Sequence, residues 1–412
     1  MEETDVVVIG AGAAGVAAAR RLAAARVPAV VLEARSRVGG RAWTMRGAGV
    51  PLDLGCGWLH SADENEWAAV AATVGFTIDR TPPPWGVRRK TIGFPPAELE
   101  EFRAASERFF GRLHAMDASE PDRPASDFLE PDNPWNPLLN SVSTYISGAE
   151  LDQVSVHDLN NYHDSGENWR VTEGYGALVE AYAAPLDVRL DCPATLVDHS
   201  GKRLRIATPK GDIAARAAIV AVPTSMLARE VLRFTPALPD KVAAADKLPL
   251  GLDDKFFLHI DRADDLPVET RIFGARDRLT GTYQLRPFGR PVIECYFGGS
   301  LAHELEAEGG DAFARHAIDQ LAAHLGGDIR KRLSPIFGSA WGRDPWALGA
   351  YSYARPGDAG ARAVLAETVD ERLFLAGEAC SVNDYSTAHG AYRTGESAAE
   401  AVLRTFEKLG AM

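Results

Sequence analysis

Residues Asp5-Val6-Val7-Val8-Ile9-Gly10-Ala11-Gly12-Ala13-Ala14-Gly15 run an apolar strand straight into a glycine-rich turn. Gly10 lets the chain turn tightly, Gly12 lets backbone approach a pyrophosphate, and Gly15 lets the following helix pack on the strand, with its N-terminal N–H groups facing phosphate. The helix predicted over Val16 to Arg26 leads to a second apolar strand, Ala29-Val30-Val31-Leu32, which ends in Glu33. That is the distance expected for an acid that binds a ribose hydroxyl pair, so the module predicts dinucleotide binding.

The next stretch narrows the choice of dinucleotide. Ala34 and Arg35-Ser36-Arg37-Val38-Gly39-Gly40-Arg41 follow the acid directly, bringing a second glycine pair and three guanidinium groups to the same place. With Pro51-Leu52-Asp53-Leu54-Gly55 after it, this block resembles the flavin-containing amine oxidase superfamily: monoamine oxidases, polyamine oxidases, flavin histone demethylases and bacterial relatives. The resemblance implies FAD, with Gly39, Gly40 and Arg41 beside its pyrophosphate and flavin.

Composition sets bounds. The 412 residues suit two domains, or one nucleotide domain with large insertions. A net charge of −13 without any Lys/Arg-dense stripe argues against nucleic acid, although an acidic surface can steer cationic substrates. Cys56, Cys192, Cys295 and Cys380 lack metal-ligand spacing, which predicts buried thiols in a reducing compartment and no metal site. The first strand begins within five residues of Met1, no apolar run approaches the roughly 20 residues needed to span a bilayer, and Leu403 to Met412 is charged and short. A cytoplasmic protein without the membrane tail of the monoamine oxidases is therefore expected, and oligomeric state is left open.

From Ser61 the pattern turns helical. Ser61-Ala62-Asp63-Glu64 reads as a capping box before Trp67, Val70, Ala71 and Val74, with Gly75 as the stop. Phe102, Ala105, Phe109, Leu113 and Met116 share the face of a second helix, while Pro82 to Gly86 and Ser119 to Pro137 read as loops. A helix over Ala177 to Ala184 precedes short strands at Val188–Leu190, Thr195–Val197 and Leu204–Thr208. A buried strand, Ala218 to Val222, runs into Pro223. Strands are predicted at 256–260, 271–274, 281–285 and 292–297, a helix over 311–325, a strand over 373–376, and a last helix from near Ala388. The resemblance joins these pieces into an α/β fold. Residues 1–60, 170–222 and 367–412 would form a Rossmann-like FAD-binding domain. Residues 61–169 and 223–366 would form a discontinuous α+β substrate domain containing a helical insertion.

The chemistry-bearing positions follow. Ser386-Thr387-Ala388-His389-Gly390-Ala391 opens the last helix, whose N-terminal N–H groups carry roughly half a positive charge, suited to the anionic edge of reduced flavin. The resemblance places Thr387, Ala388 and Ala391 there, with His389 structural, and places Gly377-Glu378 at the sugar-phosphate portion. A lysine such as Lys255, just ahead of a predicted strand, reads as a solvated gatekeeper, whereas the resemblance makes it the lysine that contacts flavin N5 through a water. That ammonium would also stabilise the superoxide-like anion formed as O2 takes electrons. Trp341 and Gly349-Ala350-Tyr351-Ser352-Tyr353 resemble the family's tryptophan and GSYS block. Ala350 stands where monoamine oxidases carry the cysteine that bonds flavin, which implies non-covalent FAD. Tyr351 matches one wall of the amine cage, and otherwise reads as a sheet-packing aromatic. Thr387 replaces the other tyrosine. Cys56-Gly57-Trp58-Leu59-His60 resembles the polyamine oxidase segment whose histidine lies near substrate, so Gly55, Gly57 and Trp58 are cofactor candidates. His60 is either a site residue or a hydrogen-bonded structural one. Glu64, Asp164, Glu167 and Asp384 are carboxylates that either face a distal ammonium or are solvated.

The reading is an FAD-dependent amine oxidase. Hydride from the carbon next to nitrogen would pass to flavin N5, the imine would hydrolyse, and O2 would be reduced to H2O2, with polyamines or other amines as substrates. The alternatives are a flavin desaturase or dehydrogenase of the protoporphyrinogen or carotenoid type, and a redox-silent FAD-binding protein.

Overall fold

Val6, Val7, Val8 and Ile9 are all buried, and the pleat of the strand explains why. Val6 and Val8 pack into one apolar cluster with the helices Ala13–Ala24, Tyr175–Ala183 and Ala388–Lys408, while Val7 and Ile9 pack into a second cluster on the opposite face. A strand covered on both faces reads as a continuous apolar run, the signature of an interior parallel strand. The computed structural model describes residues 2–85, 92–408 and 410. Gly86, at the end of the proline-rich loop, and Leu409, Ala411 and Met412 of the C-terminal segment lie outside the described residues.

The parallel sheet has the order Leu373–Leu375, Ala217–Val220, Val6–Ile9, Ala29–Leu32, Val188–Arg189. Its strands come from three widely separated stretches of chain. A second sheet, antiparallel at its centre and parallel at both edges, covers one face: Glu2–Glu3, Ile213–Ala215, Leu204–Ala207, Leu196–Asp198 and Arg233–Thr235. Helices Ala13–Ala24 and Ala388–Lys408 cover the other, and meet so closely that a Cβ on Gly395 would lie 2.0 Å from the Ala14 carbonyl oxygen.

A third sheet is antiparallel throughout, in the order Thr270–Phe273, Thr282–Leu285, Val292–Gly298, Asp253–Ile260, Leu333–Gly338. One face packs on helices Gly299–Glu308 and Ala312–Leu325. The other carries Arg271, Gln284, Tyr296, Asp253 and Lys255, all of which line a cavity.

Several sequence expectations are corrected. Lys255 does not precede the strand but lies inside it, between two hydrogen-bonded neighbours, and is only 5% exposed. The gatekeeper reading fails because the side chain is buried on an interior strand and not at a solvated sheet edge. The fifth strand, Leu333–Gly338, has no counterpart in the sequence reading, because Pro335 argues against a strand although it is tolerated at this sheet edge. The first helix after residue 60 is Glu66–Val74, capped by Asn65, whose side chain accepts from the Trp67 N–H; Ser61 to Glu64 form turns instead. Gly75 does end it, in the left-handed conformation. The stretch Ser119 to Pro137 is not all loop, since it contains a 3₁₀ turn, Ala125–Phe128, and the start of the helix Asn136–Ser147. Residues 61–169 hold helices 66–74, 96–114, 136–147 and 156–161, where the sequence patterns predict two helices. The small sheet formed by Leu59–His60, Asn168–Val171 and Ile78–Asp79 is an addition to that expectation.

Candidate active site

The strand–turn–helix at residues 6–24 is locked by its glycines. Gly10 has φ +105°, and a Cβ there would lie 2.5 Å from the Ala221 carbonyl oxygen; a Cβ on Gly15 would lie 1.8 Å from the Gly10 oxygen. Gly15 therefore serves helix packing and does not line the cavity. The turn opens into a cavity of about 1120 Å³ lined by Gly10, Gly12, Ala14, Glu33, Ala34, Arg35, Gly39, Gly40 and Arg41. Gly55, Gly57, Trp58 and Trp341 line the same cavity, as do Gly377, Glu378, Thr387, Ala388 and Ala391. His60, Lys255 and Tyr351 lie farther along it.

Glu33 is buried at the end of its strand, accepting from the Ala11 N–H at 2.8 Å and the Arg35 N–H at 2.9 Å. The three guanidinium groups do not all converge as expected. Arg35 forms a two-point contact with Asp344, and Arg41 donates to Glu378 and to the Ala350 carbonyl. Arg37 lies 4.3 Å over the Trp43 ring and is absent from the cavity lining. Glu378 accepts from Arg41, the Ser352 hydroxyl and N–H, and the Ser386 N–H. Burial raises its pKa, but Arg41, Ser352 and Arg362 together bring it below the ordinary value. The residues fit a dinucleotide: Gly12 would meet nothing closer than 3.9 Å with a Cβ, and Gly377 nothing within 4 Å, so both leave open space along the lining.

Thr387 caps the last helix, its hydroxyl accepting from the Gly390 N–H and donating to the Asp384 carbonyl. His389 is 1% exposed, 3.6 Å from Asp384, and does not line the cavity. Trp341 is fixed by donating to the Leu54 carbonyl at 3.1 Å.

Lys255 Nζ lies 3.0 Å from Glu294 Oε1 and 4.9 Å from the Tyr296 ring centre. It is also next to Gly57, where a Cβ would sit 3.0 Å from it. Burial alone would lower its pKa, yet Glu294, Tyr296 and Asp53 raise it above the ordinary value, so the side chain stays an ammonium. Tyr351 donates to the Tyr145 carbonyl at 3.0 Å. His60 Nδ1 is 2.6 Å from Asn168 Oδ1, and Asn168 donates its amide to the Gly166 carbonyl. That arrangement makes Nδ1 the donor and Nε2 the acceptor, while burial lowers the imidazole pKa.

Of the four candidate acids, Asp164 alone lines the cavity; Glu64 meets His163 at the surface, Glu167 is exposed, and Asp384 pairs with Arg393. Sequence reasoning missed Asp253, Arg271, Glu294 and Tyr296, which strand alternation with Lys255 and its neighbours would have placed on one face. Among the described residues, no group of three or more His, Cys, Asp or Glu is arranged to hold a metal ion, and no helix is long and apolar enough to cross a membrane.

Comparison with known proteins is consistent with this geometry. The family model for flavin-containing amine oxidoreductases matches residues 13–403. Among curated proteins, the chain is 30% identical to a probable polyamine oxidase 4 of Arabidopsis thaliana, over 99% of this chain and 89% of the relative. It is 29% identical to polyamine oxidase 4 of Oryza sativa subsp. japonica, over 96% and 88%. A solved putrescine oxidase bound to putrescine shares the fold, with a TM-score of 0.79 at 19% identity, covering 98% of this chain and 99% of that one. The chain belongs to the flavin-containing amine oxidoreductase family and is a flavin-dependent enzyme acting on amines.

Proposed function

We propose that this enzyme is an FAD-dependent amine oxidase that holds FAD without a covalent bond, accepts an amine as substrate, and passes electrons to O2 with release of H2O2. One observation carries the reading: a single cavity runs from the glycine turn and Glu33 to the sheet face bearing Lys255, and takes in Tyr351 beside it. Residues 1–60, 170–222 and 367–412 are the proposed FAD-binding domain, and 61–169 and 223–366 the proposed substrate domain. Gly10, Gly12, Glu33, Gly39, Gly40 and Arg41 would hold the adenosine and pyrophosphate portions. Thr387, Ala388 and Ala391 would present the positive end of the last helix to the isoalloxazine. Bound FAD supplies the hydride acceptor.

The chain's own residues do the rest. Lys255, fixed by Glu294, holds a donor at the reacting end of the cavity. Tyr351 orients the amine, and buried surroundings exclude bulk water until the imine leaves to be hydrolysed. His60, neutral, offers Nε2 as an acceptor near the entering amine. Ala350 lines the cavity without a thiol, which supports non-covalent binding. The polyamine oxidases and putrescine oxidase among the relatives set the first amines to try.

Acid precipitation should release all yellow colour into the supernatant, and anaerobic amine should bleach the holoenzyme. A yellow pellet would overturn non-covalent binding; bleaching by dithionite but by no amine would overturn the oxidase reading. Tyr351→Ala should keep flavin absorbance and lose roughly 1–3 kcal/mol of transition-state stabilisation, a fall in kcat/KM of about 5-fold to 150-fold. Unchanged turnover on the best amine would remove Tyr351 from the site.

A further inference from the structure

Among the described residues, the cavity is lined by one arginine without a carboxylate partner. Of the four arginines that line it, Arg35 pairs with Asp344, Arg41 with Glu378 and Arg103 with Glu100. Arg271 has no carboxylate partner among the described residues, and the undescribed residues carry no Asp or Glu side chain. Its Nε donates to Thr282 Oγ1 on the adjacent strand at 2.8 Å, which fixes the plane of the guanidinium. Phe273 lies 5.2 Å away, and Trp85 and Tyr145 each lie 5.9 Å away. Burial pushes its pKa below the usual value, which is the mark of a charge that has lost water without gaining a full counter-charge. A desolvated cation kept in that state is costly unless a ligand completes it.

The same sheet face holds a second incomplete group. Asp253 is 7% exposed, and its Oδ1 is buried without a hydrogen-bond partner. It lies two residues from Lys255 on one strand, hence on the same side, and both line the cavity. Arg271 is three strands away across the sheet and opposite Phe257, four residues along from Asp253, so the two backbones are roughly 20 Å apart, and both side chains line the same cavity. A chain of ammonium groups would put like charge against Arg271, in a site where Coulomb terms are weakly screened.

We propose that the substrate is an amine that also carries a carboxylate, bound with its anion on the two terminal nitrogens of Arg271 and its amine N–H donated to Asp253. The inference rests on the amine oxidase reading and names the substrate class of that site. Among the described residues neither terminal nitrogen of Arg271 has a hydrogen-bond acceptor, and two parallel donors match a carboxylate in shape as well as sign. A single guanidinium balances the one negative charge of a carboxylate, while burial and the neighbouring Asp254 push the Asp253 pKa up and favour its neutral form.

Calorimetric titration of the FAD holoenzyme with 3-phenylpropanoate and with its amide reads the anion site without turnover. The acid should bind about 30-fold more tightly or better, and Arg271→Gln should abolish the difference. Peroxide release is then compared for amino acids of increasing chain length against their decarboxylated amines, with the carboxylate-bearing member of a pair expected to be faster. Equal affinity for acid and amide in the wild-type enzyme overturns the proposal. Faster oxidation of putrescine and polyamines than of every carboxylate-bearing amine, unchanged in Arg271→Gln, overturns it and leaves the amine oxidase reading intact. Discrimination at Arg271 with no amine able to bleach flavin supports the anion site and overturns the oxidase reading instead.

Discussion

Lys255→Met is expected to retain flavin and to lose about 10²–10³-fold in turnover, the range seen when one preorganised donor is removed from a buried reacting site. Lys255 is held from both sides, its N–H donating to Ser339 Oγ at 3.0 Å while its Nζ meets Glu294 at 3.0 Å. Few rotamers are open to a side chain so confined, and its ammonium is permanent because neighbouring negative groups outweigh burial. Methionine fills similar volume but strands Glu294, whose side chain is 14% exposed, without a counter-charge. Leaving a buried ion unpaired costs about 3–5 kcal/mol, so the single variant should also melt earlier. Lys255→Met combined with Glu294→Gln separates the two effects: stability should recover while turnover stays low. Stopped-flow measurement of reduction by amine and reoxidation by O2 locates the lost step. Wild-type rates in both halves would assign Lys255 to holding the sheet alone.

The readable part of this molecule is the part written locally. The strand, glycine turn, helix, strand and acid from Val6 to Glu33 each have a pattern of their own, and the structure assembles them in register, Val6 opposite Ala29 and Ile9 opposite Leu32. The site residues given by motifs, such as Gly39, Glu378 and Tyr351, meet in one cavity for the same reason. What was illegible depends on pairing between distant strands. Asp253-Asp254-Lys255 reads as a polar stretch before a strand, yet pairing with Tyr296 to Gly298 extends the strand through it and turns Asp253 and Lys255 inward. Arg271 has no motif around it; its role appears only when the third sheet is folded. Asn65 displaced Ser61 as helix cap because its side chain also donates to the His60 carbonyl, a contact set by the small sheet rather than by the capping pattern.

Asp158 and Arg362, 204 residues apart, form a fully buried two-point ion pair with Nε–Oδ1 at 2.7 Å and Nη2–Oδ2 at 2.8 Å. Their side chains are 1% and 0% exposed. Arg362 also lies 3.8 Å from the Tyr385 ring centre and donates to Ser352 Oγ at 2.9 Å; Ser352 donates to Glu378, which holds Arg41 at the cavity wall. Arg362→Leu should therefore act at two levels. The Asp158 carboxylate, left buried and uncompensated, should cost about 3–5 kcal/mol. With unfolding entropy near 2.1 cal/mol/K per residue over 412 residues, a cooperative transition would melt about 3–6 °C lower. Ser352 and Glu378 would lose an orienting donor, so flavin retention after dialysis should fall as well. Replacing both partners, Asp158→Leu with Arg362→Met, should be less damaging than either change alone, since removing the pair removes the uncompensated charge. The remaining losses are the acceptor for the Ala354 N–H and the Arg362 donors to Ser352 and the Ala379 carbonyl, hydrogen bonds of about 1 kcal/mol each. If the double variant melted as far below wild type as the sum of the two singles, the residues would be acting independently. The path from the helix at 156–161 to Glu378 would then carry no coupling.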